Sequence, residues 1–138
     1  MSHVPPSDTR DEAAHPGAGR VVLIVDDDPL NRKLAVLRLR AAGFAVQTAN
    51  SAETALQIAA AAPPDAILSD IQMPGMDGFQ LRQAVRADAS LAGIPVILMS
   101  SALAEEWARR GVNDRQSTCV VRSPDLREAI EAIAAAFR

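Results

Sequence analysis

Aspartates follow two apolar stretches of this sequence, and together they could bind a metal ion. Residues 26–28 are all Asp and come directly after the apolar run Val21–Val25, while Asp70 ends a second apolar run. Apolar runs of about five residues between turn signals are typical of buried strands. Because parallel strands end at one edge of a sheet, we expect Asp26, Asp27 and Asp70 to converge there. Clustered carboxylates repel one another unless a hard cation such as Mg²⁺ is present, so the pattern predicts a phosphate-handling site.

The elements that would position these aspartates alternate along the chain. Five apolar runs predict strands, and the segments between and after them carry helical patterns with capping and stop signals. This alternation predicts an α/β fold, a doubly wound parallel sheet with helices on both faces. The predicted strands are 21–25, 44–48, 66–69, 95–99 and 118–121, and the predicted helices are 28–42, 51–62, 78–87, 103–110 and 123–137.

The first and last predicted helices carry apolar residues at helical spacing. Asp28 is predicted to cap the first helix, and the segment 123–125 is predicted to be the capped start of the last one. The spacing of the apolar residues predicts one buried face on each helix. These faces would consist of Leu30, Leu34 and Leu37 in the first helix and of Leu126, Ile130, Ile133 and Phe137 in the last.

The bulk properties indicate a single globular domain of ordinary composition. The chain has 138 residues, 49% of them hydrophobic and 22% charged, and its formal net charge is −3, which offers no basic field for nucleic acid. No apolar stretch approaches the roughly 20 residues of a membrane span, and no signal peptide is evident. With one cysteine, the chain fits a cytoplasmic location.

We expect residues 1–19 to be a flexible tail and 20–138 to be the domain. Both histidines lie in the tail, which argues against a histidine-based triad or zinc site.

Three motifs in combination carry a family resemblance. The stretches VLIVDDDPLNRKL, AILSDIQMPGMDGF and IPVILMSS resemble those of the receiver domain of two-component response regulators, and the similarity extends from about Arg20 to Phe137. The resemblance implies a flavodoxin-like (βα)5 fold with strand order 2-1-3-4-5. It also implies a signal-transduction protein of a phosphorelay, one that is phosphorylated and then signals by binding another protein. Such a domain is not an enzyme with a separate substrate.

The resemblance assigns roles to five residues. Asp70 would accept a phosphoryl group from the phosphohistidine of a histidine kinase or a histidine phosphotransfer protein. Asp26 and Asp27 would bind Mg²⁺, with Asp70 and the backbone carbonyl of Gln72 as further ligands. Ser100 would donate its hydroxyl to a phosphoryl oxygen. Two of these assignments have a plainer alternative, since Asp70 could be a loop or capping aspartate and Ser100 an ordinary loop serine.

Two residues depart from the family pattern. Receivers usually have a lysine where this chain has Arg122, and an aromatic residue where it has Cys119. Arg122 would take the place of that lysine as a catalytic residue of the site. Arginine keeps the charge but is longer and forked, so we expect altered kinetics or loss of phosphorylation. In receivers that aromatic residue changes its burial when the hydroxyl residue moves. Cys119 would be a small core residue with little room to move, so we expect this change in burial to be absent. Trp107 could anchor a partner if exposed, or it could cover the sheet edge.

Three functions remain open at this stage. The first is a stand-alone receiver, a monomer or weak dimer that acts on a downstream effector protein and contacts neither nucleic acid nor membrane. The second is a pseudo-receiver, an interaction module that works without phosphorylation. The third, an enzyme or nucleotide binder on the same fold, is disfavoured because no glycine-rich phosphate loop follows the first strand.

Overall fold

Five parallel strands form one sheet in the computed structural model, which describes residues 19–100 and 117–137. The strand order is β2-β1-β3-β4-β5, as the family resemblance implies. Almost all of the predicted tail lies outside the described residues, as does the predicted helix 103–110 with Trp107. The strands are β1 Val21–Val25, β2 Ala45–Ala49, β3 Ala66–Asp70, β4 Val96–Ser100 and β5 Ser117–Val121.

Four helices flank the sheet in the described part of the chain: α1 Pro29–Ala41, α2 Ala52–Ala61, α3 Gly78–Ala87 and α4 Arg127–Ala136. Alternate side chains of the strands point to opposite faces, so the sheet separates two hydrophobic clusters. Leu23 belongs to the cluster that includes residues of α2 and α3, and Ile24 belongs to the cluster that includes residues of α1 and α4. The prediction of a doubly wound α/β sheet is therefore confirmed.

Several strand boundaries differ from the prediction by one residue. β2 is Ala45–Ala49 rather than 44–48, and β4 is Val96–Ser100 rather than 95–99. β3 includes Asp70, which the sequence placed just after the strand. The hydrogen-bonding ladder, rather than the apolar run, sets these ends, so Asp70 and Ser100 are themselves the last residues of their strands.

The predicted apolar face of α1 is wrong. Leu30, Leu34 and Leu37 are 63%, 43% and 54% exposed, whereas Ala35 and Leu39 are buried against the sheet. The small side chain of Ala35 lets the helix lie close to the sheet, and the leucines then occupy the opposite, outer side. We call Leu30, Leu34 and Leu37 the leucine face.

The start of the last helix also differs from the prediction. The helix begins at Arg127 rather than in the segment 123–125, and the residue at its N-cap is Leu126, with φ 54° and no side-chain cap. Asp125 instead accepts hydrogen bonds from the Ser123 hydroxyl and from the Arg127 backbone N–H, which closes a local turn. The predicted buried stripe is confirmed, since Leu126 and Ile133 are buried and Ile130 and Phe137 pack against the same cluster.

Among residues 19–100 and 117–137, no helix has both the length and the hydrophobicity needed to cross a membrane.

Candidate functional site

Three aspartates converge at the edge where β1 and β3 end. β1 and β3 pair with Val25 opposite Ser69, so the residues that follow these two, Asp26 and Asp70, lie side by side. Asp26, Asp27 and Asp70 each place a carboxylate oxygen within 4.8 Å of the others. The structure therefore brings together the three predicted acidic ligands. Asp26 is buried, Asp70 is partly buried and Asp27 is exposed, so the cluster opens to solvent on one side.

Asp26 is the most constrained of the three carboxylates. Its Oδ1 accepts a hydrogen bond from the Asp28 backbone N–H at 2.9 Å, and its Oδ2 accepts one from the Arg122 guanidinium at 2.8 Å. Its backbone carbonyl accepts a further hydrogen bond from Arg32 at 2.8 Å. A carboxylate that is 1% exposed needs such partners, because an unpaired buried charge is strongly destabilising.

Arg122 supplies the positive charge of the site. It follows β5, and its backbone N–H donates to the Ser100 carbonyl at 3.0 Å, which extends the β4–β5 pairing by one residue. Its terminal Nη2 lies 2.8 Å from Asp26 Oδ2 and 3.4 Å from Asp70 Oδ1. The guanidinium thus bridges the carboxylates at the ends of the two central strands.

Burial raises the pKa of the Asp70 carboxyl above its ordinary value. The Arg122 charge opposes this rise, while the neighbouring Asp26 and Asp27 charges add to it. Desolvation is the largest of these influences, so Asp70 ionises less readily than an exposed aspartate despite its arginine neighbour. A bound cation would favour the ionised form.

The loop after β3 approaches Asp70 closely. A Cβ at Gly78 would lie 2.6 Å from the Asp70 carbonyl oxygen, so only glycine fits there. Asp77 caps α3 in a reciprocal arrangement: its carboxylate accepts from the Gln80 N–H, and its own N–H donates to the Gln80 side chain. Gln72, whose carbonyl is a predicted metal ligand, lies in this loop with an exposed side chain, and its role stays a prediction.

The other predicted residues are placed as follows. Ser100 is buried at the end of β4, one residue beyond the position that pairs with Asp70. Asp28 is the N-cap of α1, as predicted, and accepts from the Asn31 N–H. Cys119 is a buried core residue in which desolvation raises the pKa of the thiol to about 11, so it is a poor nucleophile. These contacts do not test the catalytic roles assigned to Ser100 and Arg122.

Sequence reasoning missed two features near the site. Nothing in the sequence assigned Arg32 a role, yet its side chain donates a hydrogen bond to the Asp26 carbonyl from the first turn of α1. A groove of about 300 Å³ separates α1 from the residues after β5, and no sequence signal pointed to it. Its lining consists of Asn31, Leu34, Ala35, Arg122, Ser123, Pro124 and Leu126.

The donor set fits Mg²⁺. All three clustered side chains are carboxylates, the hard oxygen ligands that this ion prefers, and the cluster contains neither histidine nor thiolate. One face of the cluster is open, as a magnesium ion that keeps several waters requires.

Comparison with known proteins places this arrangement in a family. The family model described as the response regulator receiver domain matches residues 22–134. The chain is similar to the sensor histidine kinase RcsC of Salmonella typhimurium, with 38% identity over 102 residues, which is 73% of this chain and 10% of that protein. It thus spans only a small part of that relative's length.

Solved structures show the same likeness. The chemotaxis protein CheY4 of Vibrio cholerae matches with a TM-score of 0.73 and 29% identity, covering 83% of this chain and 98% of that one. The response regulator protein TrrA of Thermotoga maritima, solved in complex with Mg(2+)-BeF, matches with a TM-score of 0.73 and 25% identity, covering 85% and 98% of the two chains.

Proposed function

The chain belongs to the response regulator receiver domain family of two-component signalling, and we propose that Asp70 accepts a phosphoryl group in a Mg²⁺-dependent reaction. The observation that carries this proposal is the convergence of Asp26, Asp27 and Asp70 at the strand ends. Asp26 accepts hydrogen bonds on both carboxylate oxygens, whereas Asp70 has one ion-pair contact, from Arg122 to its Oδ1, so the Asp70 carboxylate is the more available of the two for attack. The receiver domain would comprise residues 20–138, preceded by a tail of residues 1–19.

The reaction would transfer the phosphoryl group from a histidine of a partner protein. An Asp70 carboxylate oxygen attacks phosphorus, the P–N bond to the partner's histidine breaks, and the imidazole leaves with its electron pair. The partial burial of Asp70 excludes water from part of the acyl phosphate and orients the nucleophile. Transition states of this kind are stabilised mainly by positioning and by opposite charge.

The remaining side chains would receive the transferred group. Asp26, Asp27 and Asp70, with the Gln72 carbonyl, would hold Mg²⁺, which when bound would neutralise charge on the phosphoryl oxygens. Ser100 would donate its hydroxyl to one phosphoryl oxygen, and Arg122 would donate an N–H to another. The Mg(2+)-BeF complex of the related TrrA supports this use of the site, since the two chains share the fold and a quarter of their residues.

The partner would be a histidine kinase or a histidine phosphotransfer protein in the cytoplasm. The leucine face of α1 supports docking of an apolar helical surface, because three exposed leucines at helical spacing form a patch beside the acidic site. Lys33 and Arg38, also exposed on α1, would contribute positive charge to such a contact. Phosphorylation would then change how the domain binds a downstream effector protein.

Intact-protein mass spectrometry after incubation with acetyl phosphate tests the proposal. We expect a phosphoryl adduct on the native chain in Mg²⁺ and none in EDTA. Asp70→Ala should lose the adduct, whereas Asp88→Ala, which removes an exposed aspartate from the loop after α3, should retain it. An adduct that persists in Asp70→Ala would contradict the assignment. A folded chain that gives no adduct at any Mg²⁺ concentration would instead favour a phosphorylation-independent interaction module.

A further inference from the structure

We propose that residues 4–12, with the sequence VPPSDTRDE, dock on the outer side of α1 and cover the leucine face. We call these residues the acidic tail segment. The occupant of the leucine face would then be a part of the same chain, which a partner protein must displace. The inference rests on the proposed function only for this last consequence, because docking of the segment does not require phosphorylation of Asp70.

The outer side of α1 combines apolar area with positive charge. The leucine face is exposed, and apolar residues at helical spacing commonly pack against another surface. The helix has no acidic residue and four basic ones, which are Arg32, Lys33, Arg38 and Arg40. Three of these, Lys33, Arg38 and Arg40, are exposed and form no ion pair with any residue of the ranges 19–100 and 117–137. An acidic, partly apolar segment would therefore complement this side of the helix.

The chain enters the domain beside the C-terminal end of α1. The Gly19 N–H donates to the Gly43 carbonyl at 3.0 Å, two residues beyond the end of the helix. The Arg20 carbonyl accepts from the Ala45 N–H at 2.9 Å, and the Arg20 guanidinium lies 4.3 Å from the centre of the Phe137 ring. These contacts fix the point from which the preceding residues leave the domain. That point is next to the last turn of α1, which carries two of the basic residues.

The chain before Gly19 is long enough to cover α1. The helix has 13 residues, so its length is about 20 Å. Glu12 precedes Gly19 by seven residues and Asp8 precedes it by 11, which in extended form span up to about 23 Å and about 36 Å. Residues 8–12 can therefore reach every turn of the helix, and residues 4–6 can reach the leucine face beyond them.

The composition of the acidic tail segment matches the surface. Residues 8–12 contain three acidic side chains and one basic side chain, a net charge of −2 opposite the basic helix. Residues 4–6 are Val-Pro-Pro, which offer apolar area to the leucines, and proline lowers the entropy lost when a segment becomes ordered. Exposed ion pairs are individually weak, but a segment of the same chain has a high effective concentration, so weak contacts suffice.

Docking of the acidic tail segment would regulate access to α1. A partner that binds the leucine face must compete with the segment, so its apparent affinity is reduced by the fraction of the chain in which the face is covered. Because such coupling is reciprocal, a bound partner would in turn release the segment. The segment would thus favour partners that contact α1 strongly enough to displace it.

Paramagnetic relaxation enhancement in the full chain tests the contact. A nitroxide on Ser2→Cys, next to the acidic tail segment, should broaden the methyl resonances of the leucine face. Leu91, which is buried on the opposite face of the sheet from α1, is the internal reference and should keep its line width. The native chain treated with the same reagent controls for labelling of Cys119, whose thiol is buried.

Neutral variants of the same spin-labelled chain test the role of charge. Replacing the three acids of residues 8–12 by their amides should lower the enhancement at the leucine face about fivefold, because the exposed ion pairs with α1 are lost. A matched control neutralises three exposed acids elsewhere and should leave the enhancement unchanged. Its substitutions are Asp88→Asn, Glu128→Gln and Glu131→Gln.

Each result decides a separate part of the proposal. A leucine face that is not broadened in the folded, spin-labelled chain would overturn it. A mixed sample, with the spin label and the isotope label on different molecules, should show no broadening; broadening as strong as in the single chain would identify a second copy as the occupant and overturn intramolecular docking. An enhancement that persists in the neutralised tail would overturn the role of charge. Acetyl phosphate needs no docking surface, so failure of this inference and failure of phosphorylation at Asp70 are distinguishable.

Discussion

The acidic and the cationic halves of the site are built in different ways. The acidic half follows regular local structure: Asp26 and Asp70 continue buried strands, and Asp77 caps the helix that follows β3. The cationic half lies in an irregular segment. Arg122 is the first residue after β5, and Leu126 adopts a left-handed conformation before a helix that has no side-chain cap.

This difference separates local from long-range determinants of the site. Asp26 directly follows β1, Asp70 ends β3 and the cap at Asp28 is next to Asp27, so the place of each acid is set by residues close to it in sequence. The position of the Arg122 guanidinium depends on Asp26, which is 96 residues away. We therefore expect changes to the acidic half to affect folding, and changes to the cationic half to affect mainly ion binding.

The largest expected effect tests the rigidity of the acidic half. Gly78→Ala places a Cβ 2.6 Å from the Asp70 carbonyl oxygen and 2.9 Å from the Ile71 Cα, both backbone atoms that cannot yield without moving β3. We expect the free energy of unfolding to fall by about 2–3 kcal/mol, measured by urea denaturation. Gly93→Ala, where a Cβ meets nothing within 4 Å, is the control and should stay within about 0.5 kcal/mol of the native chain. Equal stabilities of the two variants would show that the loop after β3 is adaptable.

A smaller effect compares the two helix starts directly. Asp77→Ala removes one of the two hydrogen bonds of the reciprocal cap of α3, because the alanine offers no acceptor to the Gln80 N–H while its own N–H can still donate to the Gln80 side chain. The change should cost about 1 kcal/mol of unfolding free energy. Ser123→Ala, before the uncapped α4, removes only a bond to Asp125 and should cost less than about 0.5 kcal/mol in the same denaturation assay. If the serine variant proved the more costly, the cationic half would depend on local capping after all.

The smallest expected effect has the opposite sign. The pKa of Asp70 is raised by burial, so its protonated form stabilises the fold and that contribution is lost as the pH rises through the folded pKa. Asp70→Asn should therefore raise the unfolding free energy at pH 7 in EDTA by about 0.5 kcal/mol, and the gain should vanish at acidic pH. Arg122 keeps its contact with Asp26 in this variant, so no charge is left unpaired.

Thermal unfolding followed across pH provides the measurement, and Asp88→Asn provides its control. Hydrogen bonds from Ser90 lower the pKa of Asp88, so its charged form stabilises the fold and the asparagine variant should not gain stability at neutral pH. A loss of stability in Asp70→Asn would mean that the Arg122 contact, rather than desolvation, dominates the environment of Asp70.

Much of the fold and of the acidic site could be predicted because its signals are local. Apolar runs located all five strands to within a residue, and the aspartates after β1 and β3 converge because adjacent parallel strands share an edge. The cap at Asp28 and the limits of α3 were likewise predicted correctly.

The errors arise where contacts between distant parts of the chain determine the local structure. The spacing of leucines in α1 suggested a buried face, but Ala35 packs on the sheet and the leucines face outward. Ser123 and Asp125 resemble a helix start, yet they close a turn and α4 begins after Leu126. Nor does any local pattern indicate that Arg122 contacts Asp26, since that contact requires β5 to lie at its place in the sheet.

Chemical trapping of the phosphorylated residue tests the central claim most directly. The native chain would be treated with acetyl phosphate and Mg²⁺, reduced with borodeuteride, which converts an aspartyl phosphate to deuterated homoserine, and mapped by peptide mass spectrometry. The proposed mechanism predicts label at Asp70 alone, and none when EDTA replaces Mg²⁺. Label at Asp26 or Asp27, or label at Asp70 that does not depend on Mg²⁺, would contradict it.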